Sequence, residues 1–152
     1  MGPRPSVEEW IVENRDRVWD SVRIYLGFAL VVKGFAYMLH LHAFAAMMQQ
    51  TGVPFAGAGL AELVAVLHIA GGLMMAFGIL TRLGALIQIP NLVGAVLFVH
   101  MREGLFTEGQ TLEFSLLVLF LLTLISVVGA GRLSIDYYFS ERRPLAEPLP
   151  AH

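Results

Sequence analysis

Apolar residues dominate four stretches of the chain, about Val22–Ala43, Ala58–Leu80, Leu83–Val99 and Leu112–Ala130, and polar residues gather in the breaks between them. The second and third stretches meet at a two-residue turn, Thr81-Arg82. Between Ala65 and Leu80 the only strongly polar side chain is His68. A helical hairpin in water keeps one polar face, and this one has none. Helices of ~20 such residues, rising ~1.5 Å each, cross the ~30 Å hydrocarbon layer. The pattern therefore predicts an all-α fold, a bundle of four transmembrane helices.

Ahead of the first span, Val7, Trp10, Ile11, Val18 and Val22 recur at helical spacing with Trp19 beside them, while Glu8, Glu13, Arg15, Asp16 and Arg17 hold the other side. Ser6 and Glu9 have the spacing of a capping box. This reads as an N-terminal amphipathic helix lying in the membrane interface, its Trp residues at headgroup depth, with a soluble leader as the alternative. The organisation expected is a tip and interfacial helix over 1–20, a four-helix domain over 21–136 and a tail over 137–152. The charged, Pro-containing start has no cleavable signal peptide pattern, so the first span is expected to act as a signal anchor.

Composition narrows the function. The 152 residues are 57% hydrophobic and 14% charged, with net charge −2 and no Cys. Thiol–disulfide relays, iron–sulfur clusters and thiolate metal sites are excluded by the missing Cys, and no metal site is expected. With no basic stripe outside the terminal segments, nucleic acid is not an expected partner. Arg4, Arg15, Arg17 and Arg23 precede the first span, Arg82 lies in the second turn, and Arg132, Arg142 and Arg143 follow the fourth; Arg102 alone falls on the other side. The positive-inside rule then predicts a multi-pass protein of a bacterial-type plasma (inner) membrane with both termini cytoplasmic.

Ionisable groups inside the spans are the candidate chemistry. Lys33, Tyr37 and His40 share one face of the first span. A Lys at the bilayer centre costs roughly 2.5–3.5 kcal/mol, so this face should turn inward. Glu62 and His68 lie on the second span, His100 and Arg102 end the third, and Glu113 starts the fourth. Together they predict a site in the outer half of the bundle, although Glu62, His100, Arg102 and Glu113 equally suit an interfacial, solvated or paired role. Gln88 and Asn91 share a face of the third span and read as interhelical glue, with Pro90 bending the helix between them. Gly71-Gly72 predicts close approach of a neighbouring helix. Arg82, Arg132 and Asp136 are expected to form a salt-bridge and helix-end cluster on the cytoplasmic side.

The runs Gly71-Gly72…Gly78-Ile79-Leu80-Thr81-Arg82, Val99-His100 and Gly129-Ala130-Gly131-Arg132-Leu133-Ser134-Ile135-Asp136 occur in order. Over about Ile24–Asp136 the chain resembles the DoxX family of small four-helix membrane proteins, with its DoxD-type members. Two positions depart from that family's pattern. Its Lys three residues after the first-span Gly is here Tyr37, and its Glu before x-x-Gly-Gly is here His68. A phenol facing an imidazole can hydrogen-bond without burying net charge, and Lys33, one turn earlier, stands in for the lost cation. The resemblance implies a membrane subunit supporting quinone-linked oxidoreduction with a partner oxidoreductase subunit. Tyr37, His40 and His68 would meet the quinone carbonyls, with Glu62 or Glu113 on a proton route. No side chain here carries electrons, so a partner or bound cofactor is required. Two other readings stand beside it: a haem cytochrome with two of His40, His68 and His100 as axial ligands, and a non-catalytic scaffold or transporter-like bundle, homo-oligomeric or not.

Overall fold

The computed structural model describes residues 7–99, 101 and 111–141, and the side chains of 14–99, 101 and 111–138. Its elements are α1 (Val7–Leu39), α2 (Leu41–Gln50), α3 (Ala58–Phe77), α4 (Thr81–Phe98), α5 (Thr111–Val128) and α6 (Ile135–Glu141). Among the described residues four helices are long and apolar enough to span a membrane: the Asn14–Leu39 part of α1, then α3, α4 and α5. The protein is an all-helical, multi-pass membrane bundle, as the apolar pattern predicts. Successive spans run antiparallel, so the start of α1, the α3–α4 turn and α6 share one end. The α2 helix lies at the other.

Three boundaries differ from expectation. The expected interfacial helix is not a separate element: α1 runs unbroken through residue 20, which is itself buried. Trp19 Nε1 donates to the Gly129 carbonyl at 3.2 Å, so this part of α1 packs on the bundle. The first span ends at Leu39 and not near Ala43, and the residues that follow form α2, which packs Ala45 and Met48 against Ala61 of α3. The 136/137 boundary likewise falls inside α6. Ser6 of the capping box and the side chains of Glu9 and Trp10 lie outside the described residues.

Small residues set the helix spacing, because a missing Cβ lets backbones meet. Gly71 and Gly72 serve different neighbours. A Cβ on Gly72 would lie 2.7 Å from the Gly27 carbonyl oxygen of α1, and one on Gly71 would lie 3.0 Å from the Gly84 carbonyl oxygen of α4. Gly34 repeats the device one level up, against the Ala65 carbonyl at 2.9 Å. Gly72→Val should force α1 off α3 and lower stability by about 1–3 kcal/mol, as overpacking does. Thermal unfolding in detergent checks this; an unchanged midpoint would show that the seam can yield.

A polar latch closes the end near the α3–α4 turn. Asp20 and Arg23, both 0% exposed, pair at 2.9 Å. Arg23 also donates to the carbonyls of Met75 and, at 2.7 Å, Leu133, while Asp20 accepts the Leu133 amide at 2.8 Å. Gly131 passes over the carboxylate, since a Cβ there would lie 2.5 Å from Asp20 Oδ1. The α4 helix starts from Leu80 in the left-handed region (φ 48°), without a side-chain cap of its own. Asp136 supplies one from the far end of the chain, accepting the Leu80 and Thr81 amides at 2.8 and 3.0 Å. A carboxylate there meets both the orphan amides and the positive end of the helix dipole.

The single cluster expected of Arg82, Arg132 and Asp136 is thus divided among separate partners. Arg132 pairs with Asp16 at 2.8 Å, Arg82 reaches the Val128 carbonyl at 3.4 Å, and Asp136 caps α4. Each closes a different junction between chain segments.

Candidate functional site

The helices pack in the order α1 on α3, α3 on α4 and α4 on α5, and the α5–α1 seam has the least backbone contact of the four. Leu26 and Leu30 of α1 share a core cluster there with Val118, Leu122 and Ile125 of α5. Beside that cluster the seam opens into a cavity of about 400 Å³. Tyr25 on α1 and Phe114 and Leu117 on α5 line it yet remain exposed. The mouth therefore faces the surface that lipid covers. Phe44, Met47 and Met48 of α2 form a roof.

Polarity changes along the cavity. Lys33, Tyr37, His68, Asn91 and Ser115 all line it. At ~1.5 Å per residue each lies within roughly 15 Å of its helix end on the α2 side. Farther toward the Arg23 latch the walls are Leu26, Ala29, Val118 and Leu121. The space has a polar head and an apolar leg.

The head is held by packing. Tyr37 stacks on Phe44 with centroids 3.9 Å apart and planes 3° from parallel, and meets the His68 ring edge-to-face at 5.5 Å. Tyr37 and His68 come together as the sequence predicts, but through ring contact and not the expected hydrogen bond. The reason lies in α3: His68 Nδ1 donates to the Val64 carbonyl at 2.9 Å, one turn back on its own helix. A neutral imidazole so tied keeps Nε2 as an acceptor. The buried Asn91 Nδ2 has no hydrogen-bond partner among the described residues. The Lys33 ammonium lies 5.4 Å from the Tyr37 ring centroid. Ser115 Oγ donates to the Thr111 carbonyl at 2.7 Å.

Other candidates are placed elsewhere. His40, at the break between α1 and α2, is exposed, and so is Glu62 on the first turn but one of α3; neither lines the cavity. The Lys33–Tyr37–His40 face is broken because α1 ends at Leu39 before His40 completes it. Glu113 is half-buried in the first turn of α5, where its charge suits the helix N-terminus, and it too is outside the cavity wall. His100 and Arg102 lie outside the described residues. Gln88 is the interhelical glue expected, its Nε2 donating to the Leu67 and His68 carbonyls at 2.8 and 3.2 Å. Asn91, three residues on, lines the cavity, and its Nδ2 bridges to no helix among the described residues. Helical spacing put Asn91 beside Gln88, and the neighbouring Pro90, also on the wall, was the one sequence cue to a different surface there.

A family model described as DoxX matches residues 18–101, which takes in most of α1 and all of α2, α3 and α4. The match begins before and stops well short of the Ile24–Asp136 range of the resemblance, leaving α5 and the Gly129–Asp136 motif outside it. No curated protein matches the chain, and no solved structure does.

Proposed function

The chain belongs to the DoxX family, and from that premise we propose that it is a membrane subunit that binds a lipid quinone in the α1–α5 cavity and supports oxidoreduction by a partner protein. One observation carries the reading. A lipid-facing slot with an apolar leg ends in a polar head, where Asn91 Nδ2 is a buried donor with no acceptor among the described residues and Tyr37, His68 and Lys33 line the same wall. Quinone carbonyls are acceptors, and an isoprenoid tail suits the leg and the mouth. The volume falls in the ~300–1,000 Å³ range of small-molecule sites. With no redox-active side chain in the slot, electrons reach the ring from a partner or its cofactor. The arginine distribution supports an orientation with both termini and Arg82 in the cytoplasm of a bacterial-type inner membrane, which puts the polar head in the outer half.

The test is equilibrium dialysis of the detergent-purified protein with short-tailed ubiquinone and menaquinone analogues. Binding is expected without a Soret band, weakened several-fold by His68→Ala and about tenfold by Asn91→Leu, the equivalent of one hydrogen bond at ~1.4 kcal/mol. Binding unchanged in a Tyr37→Phe/His68→Ala double variant would overturn the proposal and leave the scaffold reading. A Soret band lost in His68→Ala would select the cytochrome instead. Among the described residues His68 is the one histidine on the cavity wall, so haem there lacks a visible second axial imidazole.

A further inference from the structure

Lys33 has no counter-ion among the described residues. It lies six residues inside the end of α1, roughly 9 Å along the helix axis, and it lines the cavity. Its ammonium has the face of Tyr37 for company, 5.4 Å from the ring centroid. Among the described residues no carboxylate pairs with it: Asp16 is taken by Arg15 and Arg132, and Asp20 by Arg23, all at the opposite end of the bundle. An ammonium in a span costs roughly 2.5–3.5 kcal/mol at the bilayer centre, and Lys33 is exposed on the cavity wall, where a bound anion can meet it.

The head of the cavity is rich in donors. Lys33, Tyr37 and Asn91, each carrying a donor, line the ligand space, and His68, with Nδ1 tied to Val64, brings an acceptor to the same wall. A neutral carbonyl satisfies donors but leaves the charge uncompensated. An anionic oxygen does both, and charge-assisted hydrogen bonds are about twice as strong as neutral ones. The apolar leg of Leu26, Ala29, Val118 and Leu121 demands a hydrocarbon tail on the same molecule. We infer that the cavity selects an acidic amphiphile, a tailed ligand whose head is an ionised oxygen paired with Lys33. Where the head is a quinone ring, this deepens the proposed function and rests on it, and the ligand is then a quinone bearing an ionised hydroxyl; a long-chain carboxylate offers the same head chemistry from a different source. The competing account of Lys33 is snorkelling, in which the ammonium simply reaches the interface along its own stem. Snorkelling predicts no ligand preference.

The experiment uses the full chain in an uncharged detergent. Equilibrium dialysis compares a tailed hydroxynaphthoquinone, above its ionisation, with its neutral methyl ether, and a long-chain carboxylate with its methyl ester. The ionised member of each pair is expected to bind about tenfold tighter, the effect of one charge-assisted contact. Lys33→Met should abolish that preference while still binding the ethers, which shows the variant folded, and Lys33→Arg should keep it. Ionised and neutral quinones binding equally would overturn the inference and leave quinone binding intact. Carboxylate binding that depends on Lys33, without binding of either quinone, would keep the inference and overturn the quinone reading. No binding by any of the four would overturn both.

Discussion

Arg23→Met is expected to cost about 3–5 kcal/mol of stability, the penalty for leaving one member of a buried ion pair alone. The guanidinium is 0% exposed and spends its donors on Asp20, on the α3 carbonyl of Met75 and on Leu133 beyond α5. Removing it leaves the Asp20 carboxylate without its cation and two carbonyls without a donor, in a site closed off from solvent. Thermal unfolding in detergent, followed by helical circular dichroism, measures the loss. A double variant, Arg23→Met with Asp20→Leu, should regain part of it, because no charge is then left uncompensated. Arg23→Met within about 1 kcal/mol of the parent would mean that the latch is hydrated and of the surface kind.

Ala29→Trp should weaken ligand binding about a hundredfold without unfolding the protein. Ala29 sits on the cavity wall one turn below Lys33, in the apolar leg that the tail of any amphiphile must occupy. An indole there replaces empty space with apolar contact, so the thermal midpoint should hold or rise. Affinity for both the neutral quinone analogue and the ionised one should fall by about a hundredfold, ~2.7 kcal/mol. Phe28→Trp is the control, since Phe28 is exposed on the helix surface and does not line the cavity. Binding that survives Ala29→Trp would place the ligand outside the α1–α5 slot.

The bundle was legible in the sequence because lipid imposes a simple rule. A span must be apolar on nearly every face, so its length and its few polar breaks show directly, and Gly71-Gly72 announced a close helix approach. The meeting of Tyr37 and His68 was legible for the same reason, two polar rings being costly to turn outward. The Asp20–Arg23 pair was not. Arg23 read as one more flanking basic residue beside Arg15 and Arg17. Its decisive partners are main-chain groups 52 and 110 residues away, which leave no side-chain trace. The α2 helix was hidden by its polar ends, His42 and Gln49-Gln50, which resemble an exit from the membrane. Within the site, the sequence placed Lys33, Tyr37 and His68 but also drew in His40 and Glu62, because helical spacing gives a face and not the point where α1 stops. Ser115, one hydroxyl in an apolar run, gave no such signal.

Asp136 caps a helix made more than fifty residues before it, and Leu133 completes the coordination of Arg23. In the order of synthesis, then, the hairpin of α3 and α4 enters the bilayer with its turn unfastened. It stays so until the last stretch of chain emerges. Biogenesis of this protein should accordingly end in a single locking event, and a chain truncated after Val128 and released from the ribosome would hold all four membrane crossings yet still be open to protease at the Thr81-Arg82 turn.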